Sequence, residues 1–255
     1  GIAGDLAVQA NCKTEKSDGV VLNLSPRLKT WLHARAKSHI IRRRKDEIKQ
    51  IDSGMNRQTP LERYQQGLRE GEIVADPAQQ QAVQATQQLY DELLASDDSG
   101  TGIYARLRQY LPGGRSPGVR GLYFWGGVGR GKTRIVDAFF DSLPLDRKLR
   151  IHFHRFMQRV HHELKTLKNI ENPLHKVADG FARQARVICF DEFHVSDITD
   201  AMLLSGLLEA LYERGVTLVA TSNQHPDNLY AGGLQRDRFL PAIELLKQHC
   251  QVINV

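Results

Sequence analysis

The sequence lacks the features that mark membrane, secreted or zinc-binding proteins. Its 255 residues contain no run of 18 apolar residues, and the most apolar helical stretch, residues 201–212, is interrupted by polar side chains. The N-terminus lacks the basic, apolar and small-residue order of a secretory signal. Three cysteines, Cys12, Cys189 and Cys250, lie far apart without a C-x-x-C pair, which favours neither a disulfide framework nor a zinc site. We therefore expect a reduced, cytoplasmic chain without a transmembrane segment.

Most of the chain also lacks a net excess of positive or negative residues. The net charge is +6, but residues 1–54 hold 11 Lys and Arg against 6 Asp and Glu, whereas residues 55–255 hold 24 against 23. The larger part therefore has no general electrostatic footprint for DNA, and we do not expect it to bind nucleic acid. The basic run from Arg35 to Lys45 is interpreted as a solvated helix face or a flexible arm, with a nucleic-acid or membrane-surface patch as the alternative.

The most informative feature present is a glycine-rich octapeptide that fits G-x-x-x-x-G-K-[ST]. Its residues are Gly126, Gly127, Val128, Gly129, Arg130, Gly131, Lys132 and Thr133. It follows a short aromatic strand candidate, residues 121–125, and precedes a helical pattern at 134–140. Strand, loop and helix form the context of a P-loop, whose backbone N–H groups and helix N-terminus bind phosphate. Lys132 is predicted to reach the β- and γ-phosphates and the Thr133 hydroxyl to ligate Mg²⁺; the alternative is a surface turn.

A second apolar segment ends in two acidic residues. Residues 186–190 form a strand candidate that runs directly into Asp191 and Glu192. After a P-loop, this pattern indicates a Walker B strand, with Asp191 holding Mg²⁺ directly or through water. Glu192 is then placed to act as the general base toward water. An ordinary strand that ends in a polar loop is the simpler alternative.

Two further segments supply candidate site residues. Asn223 follows a third apolar strand candidate, residues 216–221, and ligands bind at the carboxyl ends of parallel strands. It is predicted to orient water or contact the γ-phosphate, the alternative being a cap on the loop before Pro226. Arg238, or else Arg236, is predicted to reach the γ-phosphate of a neighbouring subunit. A surface ion pair is the other interpretation of these arginines.

The histidine spacing and the missing guanine motif argue against two classes of protein, metalloproteins and small GTPases. His152 and His154 are predicted to alternate on one strand face, and His161 and His162 follow them. No acid or cysteine spacing supports a metal site there, so a structural role is preferred. The chain has no N-K-x-D motif, which argues against a small GTPase.

The pattern along the chain predicts three parts. Residues 1–54 form a basic extension with a helical pattern at 25–51, and they are left out of the fold argument. Residues 55–117 form a helical region, in which Leu61, Tyr64 and Leu68 share a face and Asp76-Pro77 caps a helix over 78–94. From residue 118 to 255, strand candidates alternate with helices, which predicts a parallel sheet covered on both faces. The five candidates are residues 121–125, 149–153, 186–191, 216–221 and 251–255.

Taken together, these motifs resemble those of the AAA+ ATPases, and among them the ZapE-type cell-division ATPases, relatives of a mitochondrial AAA+ protein. The resemblance covers about four-fifths of the chain, from Met55 to Val255. The segments that carry it are GVRGLYFWGGVGRGKT (118–133), HFHRFM (152–157), CFDEFHVSDITDAMLL (189–204), TLVATSN (217–223) and LQRDRFLPAIELLKQHC (234–250).

The resemblance implies a three-layer α/β P-loop domain with strand order 5-1-4-3-2 after an N-terminal helical region. It also implies Mg²⁺-dependent ATP hydrolysis acting on the bacterial division machinery, with the tubulin-like division-ring protein (FtsZ) as partner. A homo-oligomer and recruitment to the division site or the inner membrane surface are further expectations. Because members of this family continue beyond the fifth core strand, we expect further sequence after Val255. Two alternatives stay open: a DNA-associated helicase loader or initiator, and a scaffold that binds nucleotide without turnover.

Overall fold

The computed structural model describes residues 58–98, 118–167 and 170–255. The predicted basic extension, its helical pattern at 25–51 and almost all of the loop before residue 118 lie outside these ranges. Helices in the described part are α1 (Pro60–Arg69), α2 (Pro77–Asp98), α3 (Lys132–Ser142), α4 (Phe153–Thr166), α5 (Pro173–Gln184), α6 (Ile198–Glu213) and α7 (Leu240–His249). Strands are β1 (Gly121–Trp125), β2 (Lys148–His152), β3 (Val187–Asp191), β4 (Thr217–Ser222) and β5 (Cys250–Asn254). Two short 3₁₀ turns, Pro226–Asn228 and Arg236–Arg238, lie between β4 and α7.

The strands form one five-stranded sheet in the order β2-β3-β4-β1-β5. All four neighbouring pairs are parallel. Read from the other edge, this order is the predicted 5-1-4-3-2, which is confirmed. Each parallel connection needs a crossover, and helices α3 to α7 supply them.

Helices cover the sheet on both faces because side chains alternate along each buried strand. On β3, Val187 and Cys189 pack into a cluster with helices α1, α2 and α3. The intervening Ile188 and Phe190 pack into a second cluster with α4, α5, α6 and α7. Both clusters are apolar, and the continuous apolar run of β3 reflects burial on its two sides. The predicted three-layer α/β fold is therefore confirmed.

Local sequence signals set the starts of the first two helices. At α1, the Thr59 hydroxyl oxygen accepts from the Glu62 N–H, and the Glu62 carboxylate accepts from the Thr59 N–H, which forms a capping box. The predicted apolar face of α1 is confirmed, since Tyr64 is buried and Leu61 and Leu68 pack against the same cluster. At α2, the Asp76 carboxylate accepts from the N–H of Ala78, as predicted, although the helix continues past residue 94 to Asp98.

The second strand is shifted by one residue from its predicted range, 149–153. It spans Lys148–His152, and Phe153 begins helix α4. His152 has an extended backbone (φ −63°, ψ 137°) and forms the boundary between strand and helix. The aromatic side chain of Phe153 suits either structure, so burial against the second cluster decides its position. Among the described residues, no helix is long and apolar enough to cross a membrane.

Candidate functional site

The carboxyl ends of β1, β3 and β4 lie side by side at one edge of the sheet. Trp125 on β1 pairs with Ser222 on β4, and Phe190 on β3 pairs with Ala220 on β4. Because the strands are parallel, the loop after β1, the acidic pair after β3 and the asparagine after β4 all begin at this edge. The fold thus brings together the three segments that hold most of the predicted site residues.

The loop after β1, residues 126–133, requires its glycines. Gly129 and Gly131 have φ angles of 79° and 89°, which residues with a side chain rarely adopt. At Gly126, φ is 143°, and an added Cβ would lie 2.2 Å from the carbonyl oxygen of Val255. The loop ends at Gly131, which precedes the first residue of α3. Its backbone N–H groups therefore meet the positive end of a helix, as a phosphate site requires.

Lys132 lies inside this loop and not in solvent. Only 7% of the residue is exposed, and its Nζ donates to the carbonyl oxygens of Gly126 and Gly127 at 2.7 Å each. Burial, followed by the positive charge of Arg130, lowers the pKa of Lys132. Two neutral carbonyl groups solvate this ammonium less well than anionic phosphate oxygens would. The loop is thus formed around a cation that can exchange its backbone acceptors for phosphate.

Asp191 ends β3 with its carboxylate held by an arginine from the neighbouring strand. It is 8% exposed. Arg150 donates from Nε to Asp191 Oδ2 at 2.8 Å and from Nη2 to Oδ1 at 3.1 Å. The same guanidinium contacts the carboxylate of Asp137 on α3. Burial alone lowers the pKa of Arg150, but the bonds to Asp191 and Asp137 outweigh it and leave that pKa raised.

Glu192 follows in a backbone conformation that is rare for its residue type. Its φ is 54°, in the left-handed region. Its N–H donates to Thr221 Oγ1 at 3.2 Å, and the next N–H, of Phe193, donates to the Thr221 carbonyl oxygen at 2.7 Å. Its side chain is exposed. Rare backbone conformations persist where the surroundings hold them and are frequent at functional sites.

Asn223 is exposed directly after β4. The alternative role of a cap before Pro226 belongs to another residue. His225 caps the 3₁₀ turn Pro226–Asn228, and its Nδ1 accepts from the N–H of Asp227 at 3.3 Å. The Asn223 side chain makes no hydrogen bond within the described ranges, so it is available at the edge where the loop and the acidic pair begin.

The two candidate arginines differ in their surroundings. Arg236 Nη2 donates to the carbonyl oxygen of Asp227 at 2.6 Å, while its Nε is buried without a partner in the described part of the chain. Arg238 is exposed, and its side chain makes no hydrogen bond or ion pair to any described residue. Neither arginine side chain makes a hydrogen bond to the glycine-rich loop, to the acidic pair or to Asn223 among the described residues.

The predicted alternation of His152 and His154 on one strand face is wrong. His152 ends β2 and His154 lies in α4, because the chain turns into the helix at Phe153. Their rings still meet at an angle, with centroids 5.8 Å apart. His161 bonds to Asp200 on α6 at 2.6 Å. No group of three or more His, Cys, Asp or Glu side chains within residues 58–98, 118–167 and 170–255 is arranged to hold a metal ion.

A cavity beside the glycine-rich loop was not predicted. Its volume is about 750 Å³, which lies within the usual range for small-molecule sites. It is lined by residues 73–77, by Gly129 and Gly131, and by Arg63, whose Nε is buried without a partner among the described residues. Arg134 on α3 donates to the Glu72 carbonyl oxygen at 3.3 Å and fixes the lining segment. The apolar run Ile73-Val74-Ala75 was the only sequence signal for this cavity.

The residues present fit a magnesium ion. Thr133 is exposed in the first turn of α3, and its hydroxyl oxygen and the Asp191 carboxylate are the hard oxygen ligands that Mg²⁺ prefers. A cation already lies on that carboxylate, since the Arg150 guanidinium contacts both of its oxygens. The Asp191 carboxylate thus already binds a positively charged group.

The sheet order, the glycine-rich loop after β1 and the acidic pair after β3 define a P-loop domain of the AAA+ type. Residues 58–255 match the AFG1-like ATPase family. The chain belongs to that family.

Individual relatives show how much of a longer protein this chain corresponds to. It is 53% identical over 204 residues to the cell division protein ZapE of Escherichia coli K12, a match that covers 77% of this chain and 54% of that protein. It is 37% identical over 224 residues to an uncharacterized protein of Schizosaccharomyces pombe, covering 76% and 49%. The chain spans about half the length of the curated relatives it matches.

The solved structures that match the chain are more distant in sequence. The crystal structure of DnaI is 16% identical with a TM-score of 0.49, covering 71% of this chain and 87% of that one. Domain III of the replication initiation protein DnaA from Thermotoga maritima is 18% identical with a TM-score of 0.48, covering 72% and 64%.

Proposed function

We propose that the chain binds ATP and hydrolyses it with Mg²⁺ at the sheet edge that holds the loop, the acidic pair and Asn223. The observation that carries this proposal is the buried Lys132 ammonium, enclosed by its own loop at a helix N-terminus. Mg²⁺ neutralises phosphate charge when bound, and Thr133 and Asp191 are the residues that hold it. Lys132 binds the β- and γ-phosphates, and the backbone N–H groups of residues 126–133 surround them.

Glu192 acts as the general base in this proposal. Its carboxylate accepts a proton from the attacking water, while Asn223 orients that water or contacts the γ-phosphate. The left-handed backbone of Glu192 supports this role, because two N–H donors fixed by Thr221 hold the residue in one orientation. Holding a catalytic group in the correct orientation contributes much of the rate enhancement of enzymes.

The cavity lined by residues 73–77 receives the nucleobase. It adjoins Gly129 and Gly131 of the phosphate loop. Within a mixed lining of polar, charged and apolar groups, Ile73, Val74 and Ala75 offer apolar surface to the faces of a purine ring. The Arg63 side chain lines the cavity and is 36% exposed, and it is the proposed donor to the ribose or the base. Adenine is the base we propose, since the chain has no N-K-x-D motif for guanine.

The target of the ATPase is the bacterial division machinery, with the tubulin-like division-ring protein (FtsZ) as partner. The 53% identity to a cell division protein supports this target. A DNA-associated helicase loader is the second candidate, but residues 55–255 carry 24 basic against 23 acidic side chains and offer no broad basic surface. A scaffold without turnover is the third, and the intact Asp191-Glu192 pair argues against it.

The active form is a homo-oligomer in which Arg238 of one subunit contacts the γ-phosphate bound by the next. Its exposed side chain makes no hydrogen bond or ion pair to described residues, which leaves it available to a neighbour. An arginine that reaches developing negative charge stabilises the transition state.

Nucleotide binding and turnover in two variants test the proposal. Lys132→Ala should weaken ATP binding about a hundredfold, because the loop loses its cation for the β- and γ-phosphates. Glu192→Gln should bind ATP but hydrolyse it at least about a hundredfold more slowly. Lys165→Ala, on an exposed position of α4, is the matched control for loss of a lysine.

Unchanged ATP affinity of Lys132→Ala in calorimetry would refute the phosphate site. Parent-rate turnover by Glu192→Gln would remove Glu192 as the base. Repeating the turnover assay with added division-ring protein and with DNA separates the candidates, because only the true partner should change the rate.

A further inference from the structure

Arg150 connects two carboxylates that come from different elements of the site. Its guanidinium donates to both oxygens of Asp191 on β3, at 2.8 and 3.1 Å, and contacts Asp137 on α3. The Arg150 side chain is 20% exposed and that of Asp191 11%, whereas that of Asp137 is 48% exposed. The Arg150 guanidinium therefore neutralises two carboxylates, of which Asp191 is nearly buried and Asp137 is open to solvent.

Arg150 contacts both elements that carry the groups proposed to hold Mg²⁺, which are β3 and α3. On β2, Arg150 pairs with Cys189, which lies two residues before Asp191 on β3. On α3, Asp137 lies four residues after Thr133, so the two share one face of the helix. A single side chain thus joins the strand that ends in Asp191 to the helix that holds Thr133 in its first turn.

We propose that Arg150 is a positioning residue that holds Asp191 while Mg²⁺ is absent and competes with Mg²⁺ for that carboxylate. The inference rests on the proposed ATPase function. Both Asp191 oxygens already accept an N–H, and the guanidinium charge repels a second cation, so this carboxylate binds Mg²⁺ less tightly while Arg150 holds it. When Arg150 loses its contact with Asp191, its guanidinium stays bonded to the Asp137 carboxylate. Arg150 and Asp137 together therefore set the Mg²⁺ concentration at which nucleotide binding tightens.

Removing Arg150 and removing the Asp137 charge are predicted to shift the Mg²⁺ requirement in opposite directions. A merely structural role does not predict opposite shifts. Without Arg150, the Asp191 carboxylate has no competing cation, so less Mg²⁺ is needed. Without the Asp137 charge, Arg150 has only Asp191 as its anionic partner, so more Mg²⁺ is needed. A contact that only stabilises the fold gives the same direction for both changes, since either one breaks the same link.

The experiment titrates Mg²⁺ against binding of a fluorescent ADP analogue, followed by anisotropy without turnover. Arg150→Gln should lower the Mg²⁺ midpoint about tenfold, because the guanidinium charge no longer opposes the ion at Asp191. Arg150→Lys keeps the charge but loses the two-pronged contact, and should lower the midpoint about threefold. Asp137→Asn should raise it about threefold. Asp137→Asn should add nothing in the Arg150→Gln background, because its effect passes through Arg150.

Arg214→Gln is the matched control. Arg214 bonds Asp179 at 2.7 Å and its side chain is 9% exposed, but this pair joins α5 to the end of α6 and contacts no proposed site residue. It should leave the Mg²⁺ midpoint unchanged. Circular dichroism establishes that each variant folds, and if Arg150→Gln does not, Arg150→Lys and Asp137→Asn decide the question.

Equal or same-direction shifts for the Arg150 and Asp137 variants would overturn the proposal, as would a parent-like midpoint for Arg150→Lys. These outcomes leave the ATPase proposal intact if the parent binds nucleotide in an Mg²⁺-dependent way. Nucleotide binding by the parent that does not depend on Mg²⁺, or no binding at all, overturns both.

Discussion

The N–H of Glu192 donates to the hydroxyl oxygen of Thr221 at 3.2 Å, which ties the proposed general base to the neighbouring strand. Thr221 accepts a second bond through its carbonyl oxygen, from the N–H of Phe193 at 2.7 Å. A third link joins the same segments, because Ser222 Oγ donates to the carbonyl oxygen of Phe193 at 2.7 Å. The end of β4 therefore determines where the chain goes after Asp191.

Replacing Thr221 with valine tests this coupling. The side chain keeps its shape but loses the acceptor for the Glu192 N–H, so the carboxylate is held less firmly. Turnover should fall about tenfold, because small displacements of reacting groups are costly. Affinity for ATP should stay within about twofold, since Thr221 touches no phosphate-binding group. Steady-state kinetics and calorimetry measure the two quantities.

Thr217→Val is the control for this experiment. Thr217 lies at the opposite end of β4 and donates through Oγ1 to the carbonyl oxygen of Val119 at 3.0 Å. Its loss should cost about 1 kcal/mol of stability and leave turnover unchanged. If both valine variants lose turnover equally, Thr221 acts through general stability and not through Glu192.

The backbone of Glu192 leads to a separate prediction on stability. Asparagine tolerates the left-handed region better than glutamate, so Glu192→Asn should raise the free energy of unfolding by about 1 kcal/mol. The same variant should lose turnover about a hundredfold or more, because the carboxylate is gone. Urea unfolding of the variant and the parent provides the measurement. Glu209→Asn, on an exposed turn of α6, should instead cost about 0.3 kcal/mol.

A lower unfolding free energy for Glu192→Asn than for the parent would contradict the idea of strain at this position. It would mean that contacts of the glutamate side chain outweigh the cost of its backbone conformation.

The sequence predicted those parts of the site whose functional residues form a contiguous motif next to a recognisable strand. The loop at 126–133 and the pair Asp191-Glu192 are contiguous motifs next to apolar strands, so pattern alone located them. The strand order came from the resemblance, because sequence spacing does not state which strands are neighbours.

The contacts that support the site could not be predicted in this way. Arg150 meets Asp191 across 41 positions of sequence, and Thr221 meets Glu192 across 29. Nothing in the local pattern of either residue marks it as a partner, since Thr and Arg are ordinary residues in strands. The end of β2 was misplaced for a related reason, because Phe153 suits a strand or a helix equally well until its packing is known.

A pH dependence of stability follows from the burial of His249 beside Tyr212. The rings stack with centroids 4.0 Å apart and planes 11° apart. Burial lowers the pKa of His249 below its ordinary value of 6.5. The unfolded chain therefore binds a proton more readily than the folded one, and stability is lost as pH falls from about 6.5 through the folded pKa. Above that range, both states are neutral and the contribution is constant.

His249→Phe should reduce this acid-dependent loss. Phenylalanine keeps an aromatic ring against Tyr212 but cannot bind a proton, so the unfolding free energy should fall less between about pH 7.5 and about pH 5.5. Urea unfolding across that range measures the slope. His162→Phe, at an exposed position of α4, is the control. A slope for His249→Phe equal to that of the parent would show that other groups cause the acid sensitivity.

The proposed contact between subunits is tested by mixing variants. Arg238→Ala should lower turnover about a thousandfold and change ATP affinity less than about threefold, because the arginine acts on charge that develops in the transition state. Lys132→Ala subunits should bind ATP about a hundredfold more weakly but still offer Arg238 to a neighbour. Once light scattering has established assembly, mixtures of the two variants should recover turnover at interfaces where an intact loop meets an intact arginine.

Arg236 is bonded to the Asp227 carbonyl oxygen, so Arg236→Ala should need no such rescue. Recovery with Arg236→Ala, together with none for Arg238→Ala, would assign the trans-acting role to Arg236.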